Sequence, residues 1–431
     1  MSPPNILFMT CHDLGRHLGC YGQETVLSPH LDRLAAEGVR LAASFCTAPQ
    51  CSPSRAAMHT GRHAHDVGVL GLTHSPFNWR LEPSSAHFAN RVKQLGYHTA
   101  LFGAQHVTRH ELGSELGYAH VTPEAPAPQI AEQLRGYLAT IGGSRPFYLE
   151  VNFPEAHRPY DRGGALPEES QGVHLPPYIP DHPDSALEFA ALQGAIRQLD
   201  SGVGTVLAAL DEHGLRENTL VVFVTDHGLA MPRAKCTLYD PGIETALLLR
   251  WPARDIAGGR VLTPLISHVD LVPTLLEALG RPASAGELHG RSFWPLLRDY
   301  AYQPNHAVFA EKTFHTAYEP MRALRTASHK LIVNLETGSR YDVPDDVRNG
   351  LIYPHAVGQA TGHRAPVELY DLACDPLERD NLSGRPEVAD LEATLLLALR
   401  HWMEESGDPL LDGPPSSPFY VSALASLTGR A

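Results

Sequence analysis

The sequence predicts an α/β fold, in which a large, mixed but mainly parallel sheet is flanked by helices and followed by a smaller C-terminal α+β subdomain. Short apolar runs, typical of strands buried on both faces, alternate with stretches of helical periodicity. This alternation indicates a parallel sheet covered by helices. After Lys312 the pattern changes to short strand-like runs, so we predict domains at residues 1–312 and 313–431.

Four predicted strands end in polar residues. These strands are 5–9, 97–103, 146–153 and 219–225, and the polar residues after them are His12 and Asp13, His106, His157, and Asp226 and His227. Ligands bind at the carboxyl edge of the strands in an open α/β sheet. Each side chain alone could be a helix cap or a solvated loop end. Four such strand ends on one edge indicate an active site.

The remaining elements are predicted from helical periodicity and from the residues that cap or end helices and strands. Helices are predicted at 29–38, before the glycine at 96, and at 186–213, where Asp184 and Ser185 are candidate caps. In the C-terminal subdomain, antiparallel strands are predicted at 321–326 and 329–334, a long loop at 337–366, and a helix from about 386 to 405.

The segment 45–62 carries the most specific motif, FCTAPQCSPSRAAMHTGR. Pro53 fixes a turn, and we expect Ser54 or Arg55 to begin a helix whose free N–H groups point back toward Cys51. A cysteine at such a helix start, beside a guanidinium, lies in a local anion site. For Cys51 taken alone, a buried structural thiol is the alternative.

Composition restricts the possible partners. The net charge of −14 argues against nucleic acid and gives no support for an anionic membrane surface, so an anionic substrate needs a local positive site. No segment approaches the ~18 apolar residues of a membrane span. The N-terminus lacks a signal-peptide pattern and the cysteines lack paired metal spacing, so we expect a cytoplasmic protein, although a chain trimmed of its signal peptide would look the same.

Taken together, these motifs resemble the formylglycine-dependent sulfatases of the alkaline-phosphatase superfamily over nearly the whole chain. The matching segments are H-D-L-G after the first strand, C-S-P-S-R with T-G-R, G-Y-x-T-A-x-x-G with a following histidine, T-D-H-G, residues 235–240 and 267–274, and E-L-Y-D-L…D-P…N-L. Within the family, the segments around His157 and at 310–323 look most like the N-sulfoglucosamine sulfohydrolases, the heparan N-sulfatases. The resemblance implies an alkaline-phosphatase-like fold.

The resemblance also implies a function: hydrolysis of a sulfate ester or sulfamate on a saccharide or another small molecule. It implies that a formylglycine-generating enzyme converts Cys51 to formylglycine, whose hydrate supplies an oxygen nucleophile. The implied ligands of one divalent metal are His12, Asp13, Cys51, Asp226 and His227. The other implied roles are Arg55 holding the diol, His106 as base in elimination, His157 as acid for the leaving group, and Lys235 on a sulfate oxygen. Glu311, His315 and Arg322 either line the sugar pocket or form cap and interdomain pairs.

Three positions depart from the family pattern. His12 stands where the family usually has aspartate, and His227 stands where the family often has asparagine. Calcium, the family default, prefers oxygen ligands, whereas imidazole suits manganese, zinc or iron, so both kinds of metal stay open. His12 could instead bond a neighbour and leave the metal to Asp13 and Asp226. Ala104 replaces a lysine of the family motif, and Gln105, Arg109 or another histidine would have to compensate.

Two further functions fit the sequence. The motifs C-x-P-S-R and D-H-G also resemble phosphonate monoester and phosphodiester hydrolases of the same superfamily, and a histidine-containing metal site suits them. The loss of the lysine at Ala104 motivates a non-catalytic, sulfatase-like binding protein. The sequence does not indicate an oligomeric state.

Overall fold

The computed structural model describes residues 3–141, 145–336, 342–360 and 364–428. Its strands are β1 Asn5–Cys11, β2 Val39–Phe45, β3 His98–Gly103, β4 His120–Thr122, β5 Phe147–Asn152, β6 Thr219–Thr225, β7 Glu244–Arg250, β8 Arg260–Leu262, β9 Ile266–Ser267, β10 Ala307–Phe314, β11 Tyr318–Thr326, β12 His329–Asn334 and β13 Val367–Asp371. Its α-helices are α1 Pro29–Glu37, α2 Cys51–Thr60, α3 Phe88–Gln94, α4 Ala127–Ile141, α5 Pro183–Glu212, α6 Asp240–Ile243, α7 Leu271–Ala278, α8 Trp294–Leu297, α9 Asp345–Arg348, α10 Tyr353–Ala356, α11 Ala389–Glu405 and α12 Pro418–Thr428.

The first sheet has nine strands in the order β4-β3-β5-β1-β6-β7-β2-β8, and β9 pairs with β2. Within the described part of this sheet, β7 alone runs antiparallel to its neighbours. Alternate residues of β1 enter different cores: Leu7 and Met9 pack with α1, α4 and α5, whereas Ile6 and Phe8 pack with α2, α3 and α7. Burial on both faces explains the unbroken apolar runs, and the predicted mainly parallel sheet is confirmed.

The second sheet is antiparallel, in the order β10-β11-β12-β13. Leu324 and Leu331 on one face pack against α11, and Ala323 and Ile332 on the other pack with Phe45 of β2. This sheet begins at residue 307, so the predicted domain boundary at 312/313 falls inside its first strand. No helix of the described ranges has the length and apolar character needed to cross a bilayer.

Three local predictions need correction or restriction. Helix α2 begins at Cys51 rather than at Ser54 or Arg55, because a proline in the first turn loses only a donor that the helix leaves unpaired. Helix α5 is capped by His182, whose ring accepts from the N–H of Asp184. The predicted loop at 337–366 contains α9 and α10, and its stretches 337–341 and 361–363 lie outside the described residues.

A buried ion-pair network joins the second sheet to the segment that follows α2 and to the segment that follows α11. Arg322 on β11 is fully buried and donates to Asp408 Oδ1 at 2.9 Å, and its guanidinium lies 3.7 Å from Glu311 of β10. Glu311 Oε2 in turn lies 2.8 Å from Nδ1 of His65, which follows α2. Burial opposes ionisation of Glu311, but His65 and Arg322 lower its pKa to about 2. The charges of this junction are thus compensated by protein groups.

Replacing Asp408 with alanine should destabilise the protein by about 3 kcal/mol, because Arg322 would keep a buried charge with its closest partner removed. Chemical denaturation followed by circular dichroism measures the loss. The control is Asp412→Ala, an exposed position on the same segment, which should change the unfolding free energy by less than about 0.5 kcal/mol. Equal stability of the two variants would contradict this account of the junction.

Candidate active site

The polar strand ends predicted from the sequence lie along one edge of the first sheet. Strands β3, β5, β1 and β6 are parallel neighbours, so the residues after them emerge side by side. The ring of His12 lies 4.8 Å from that of His106 and 5.9 Å from that of His157. Cys51 reaches the same edge from the start of α2.

Asp226 holds this edge together. Its Oδ1 accepts from the N–H of Asp13 at 3.0 Å, and its Oδ2 accepts from Nε and one Nη of Arg55, both at 3.2 Å. The same guanidinium donates to the carbonyl of Cys11 at 3.1 Å. Burial opposes ionisation of Asp226, but His227 and Arg55 lower its pKa to about 2. Arg55 therefore braces the ends of β1 and β6 from α2.

One ring nitrogen of His227 lies close to both Cys51 and Asp13. His227 Nε2 lies 3.3 Å from Cys51 Sγ and 3.1 Å from Asp13 Oδ1. The other ring nitrogen, Nδ1, lies 3.0 Å from the carbonyl of Gly228 and donates to it, so Nε2 is the nitrogen directed at Cys51 and Asp13. Asp13 Oδ1 is buried and has no hydrogen-bond donor. An imidazole nitrogen and a carboxylate oxygen that face each other beside Cys51 in a buried site are a group that could hold a metal ion.

His12 belongs to a second close group, which it forms with Cys51 and His106. Its Nδ1 lies 3.4 Å from Asp226 Oδ2 and has no hydrogen-bond partner. Burial and the Arg55 guanidinium hold the pKa of His12 well below its ordinary value, so the ring is neutral. Because its Nδ1 faces only Asp226, the alternative that His12 contacts a neighbour and leaves the metal to Asp13 and Asp226 stays open.

Two residues of the site have strained backbone conformations. The φ angle is 53° at Asp13 and 56° at His106, in the left-handed region. Such conformations cost of order 1–3 kcal/mol in residues other than glycine, and they persist where surrounding contacts fix them. At Asp13 the fixing contact is the hydrogen bond from its N–H to Asp226.

Lys235 lies between two carboxylates. Its Nζ is 2.8 Å from Asp13 Oδ2 and 2.6 Å from Asp346 Oδ2. His157 Nε2 faces the same two oxygens, at 3.7 and 3.5 Å, while its Nδ1 lies 2.7 Å from the carbonyl of Arg158. Asp346 was not predicted as a site residue, because it lies in a segment without periodicity or a recognised motif.

The geometry separates the predicted substrate residues. Glu311 and Arg322 belong to the buried junction described above, so their assignment to the sugar pocket is corrected to the interdomain pairing. His315 is buried within electrostatic range of Lys235 and Asp346, and burial lowers its pKa to about 3. It therefore borders the site, and its contact with substrate stays a prediction.

A cleft of about 780 Å³ opens beside His106. Ala104, His74 and Arg109 are among the residues that line it. The amide of Gln105 bonds the N–H groups of Val107 and Thr108 and the carbonyl of Thr108. Because those bonds close its own loop, Gln105 does not replace the missing lysine. Compensation by Arg109 or a histidine stays a prediction.

Known proteins resemble this chain in both sequence and structure. The Sulfatase family model matches residues 4–281, and the model of the N-sulphoglucosamine sulphohydrolase C-terminal region matches residues 227–349. N-sulphoglucosamine sulphohydrolase of Homo sapiens is 28% identical, over 96% of this chain and 92% of that protein. Arylsulfatase A of Homo sapiens is 29% identical, over 92% of this chain and 86% of that protein.

Solved structures share the fold. The structure of a protein in complex with its substrate D-glucosamine-2-N,6-O-disulfate superposes with a TM-score of 0.72 and 17% identity, over 94% of this chain and 99% of that one. Phosphonate monoester hydrolase of Agrobacterium radiobacter also gives 0.72, with 19% identity, over 93% of this chain and 96% of that one. The Sulfatase model covers more than half of the sequence. The chain therefore belongs to the sulfatase family, whose members hydrolyse sulfate esters or sulfamates.

Proposed function

We propose that this enzyme hydrolyses the sulfate ester or sulfamate of a sulfated saccharide, using a formylglycine made from Cys51 and one divalent metal. The observation that carries the proposal is the buried meeting of Cys51 Sγ, His227 Nε2 and Asp13 Oδ1. A saccharide substrate is supported by the relative named for N-sulphoglucosamine and by the neighbour whose structure is in complex with a sulfated glucosamine.

Position 51 suits a nucleophile that must be held still. Cys51 begins α2 and is 6% exposed, and Arg55, one turn further on, is fixed by Asp226. When a formylglycine-generating enzyme has converted the cysteine, the hydrated aldehyde supplies an oxygen nucleophile for sulfur. The chain's own part is to orient that group through Arg55 and to keep His106 within reach of its hydroxyls as a base.

Charge around Cys51 explains how an acidic protein could bind an anion. Three carboxylates, from Asp13, Asp226 and Asp346, face the two cations Lys235 and Arg55. Without a metal this set has one net negative charge, and a divalent ion would make it positive by one. The substrate's sulfuryl oxygens would then be held by Lys235, with His157 donating a proton to the leaving group.

The donor set favours a transition metal over calcium. The groups that would hold it are the imidazoles of His12 and His227 and the carboxylates of Asp13 and Asp226, beside position 51. Calcium takes oxygen ligands, whereas two imidazoles suit zinc, manganese or iron. A bound metal supplies Lewis acidity, which lowers the pKa of a hydroxyl beside it and polarises sulfate.

Hydrolysis of a phosphonate monoester or a phosphodiester is the second candidate. It is favoured by the same imidazole-containing donor set. Parallel rates on an aryl sulfate, a sulfamate and an aryl phosphonate separate the two functions. If the aryl phosphonate is hydrolysed orders of magnitude faster than the aryl sulfate and the sulfamate, phosphonate hydrolysis becomes the leading function.

Cys51→Ala should abolish turnover of sulfated substrates, with kcat/KM falling by at least about a thousandfold, because alanine offers no oxygen nucleophile. Enzyme made together with its maturation enzyme is assayed, and the mass of the peptide 41–55 reports the aldehyde or its hydrate in the parent protein. Cys46→Ala is the control, since this buried cysteine contacts the carbonyl of Gly242 instead of the site. Full activity of Cys51→Ala would refute the proposed nucleophile.

Zinc and manganese should bind at least about a hundredfold more tightly than calcium. Calorimetric titration of chelator-treated Cys51→Ala protein measures this preference without a competing thiol. The double variant His12→Asp/His227→Asn should lose it, because the imidazoles are replaced by oxygen donors. His74→Asn, a histidine of the cleft, is the matched control and should keep it. Tighter binding of calcium by the parent protein would contradict the assignment.

A further inference from the structure

Asp346 is placed at the active site by a well-anchored segment. Its Oδ1 accepts from the N–H of Val347 at 3.0 Å, and Val347 is buried in a small cluster with Ala230. Further along, the N–H of Ile352 donates to Glu188 of α5 at 2.7 Å. The carboxylate is therefore held in position before any substrate arrives.

Asp346 lies on the outer side of the site. The side chain of Asp13 has no exposed surface, whereas those of Asp346 and His157 are 16% and 33% exposed. Position 51 is deeply buried, so the sulfuryl group must point inward and the saccharide outward. With Lys235 on the sulfuryl oxygens and His157 on the leaving group, as proposed, the atom that bridges sulfur and saccharide would pass between these two residues. Asp346 Oδ2 lies beside that gap, 2.6 Å from Lys235 Nζ and 3.5 Å from His157 Nε2.

The two substrate classes of the family differ at that bridging atom. A sulfamate, R–NH–SO3⁻, has a nitrogen that carries one hydrogen, whereas the bridging oxygen of a sulfate ester carries only lone pairs. An ionised carboxylate is a hydrogen-bond acceptor without a donor. Beside Asp346 the N–H would be satisfied, and the lone pairs of an ester oxygen would be repelled.

We propose that Asp346 is a specificity-determining residue, which accepts a hydrogen bond from the bridging N–H and so selects sulfamates over sulfate esters. The inference rests on the proposed function. In the reaction the S–N bond breaks, an S–O bond to the oxygen of water forms, and the leaving nitrogen takes up both protons of that water, so that R–NH–SO3⁻ and water give R–NH3⁺ and SO4²⁻. The oxidation state of sulfur does not change.

The test uses two substrates that differ only in the bridging atom, glucosamine 2-N-sulfate and glucose 2-O-sulfate. Matured wild-type enzyme should prefer the sulfamate. Asp346→Asn should lower the ratio of the two kcat/KM values by at least about tenfold, because the amide can donate to the ester oxygen. Asp346→Glu keeps the carboxylate and should keep the preference. Asp345→Asn, at the exposed neighbouring position, should leave the ratio unchanged.

An unchanged ratio in active Asp346→Asn would overturn the inference. If that variant has a lowered melting temperature, Asp346→Ser, which is smaller and also uncharged, takes its place. If matured wild-type enzyme turns over neither compound, the proposed function fails, and calorimetry still tests Asp346. Wild-type protein should bind glucosamine more tightly than glucose, and Asp346→Asn should lose that difference. If wild-type protein binds glucosamine and glucose equally well, the inference about Asp346 is also overturned.

Discussion

The buried carboxylate of Asp226 is the group on which the active-site edge depends. It accepts from the backbone of the segment after β1, from its own neighbour His227, and from two nitrogens of Arg55 on α2. Three parts of the chain are thus fixed by one side chain that has no exposed surface. Removing a charged partner from such a buried set costs far more than a surface ion pair contributes, since the remaining charge keeps its desolvation penalty. The Arg55 contact therefore serves the fold and the chemistry together.

Much of the fold and the site followed from local pattern. Apolar runs predicted β1, β3, β5 and β6, and the rule that ligands gather at the carboxyl edge brought His12, His106, His157 and Asp226 to one place. These successes share a cause: a strand buried on both faces leaves a clear pattern, and its polar end is adjacent in sequence.

The contacts that could not be predicted from the sequence also share a cause. Asp346 reaches Lys235 because the segment around it is anchored on α5, and Arg322 is buried because it meets Asp408. Both partnerships join residues distant along the chain, so no periodicity or spacing shows them. The start of α2 was misplaced for a different reason: Pro53 is as compatible with the first turn of a helix as with the turn before it.

The position of Asp346 also bears on the order in which the enzyme becomes complete during synthesis. Domains of a growing chain fold roughly from the N-terminus, and the strands that carry the site end with β6 at residue 225. Lys235 then has Asp13 as a partner, but its second carboxylate is translated only at residue 346, and the partner of Arg322 only at residue 408. A nascent chain can thus form the central sheet well before it has the outer wall of its site. The segment that carries Asp346 is in this sense the last part of the active site to be made.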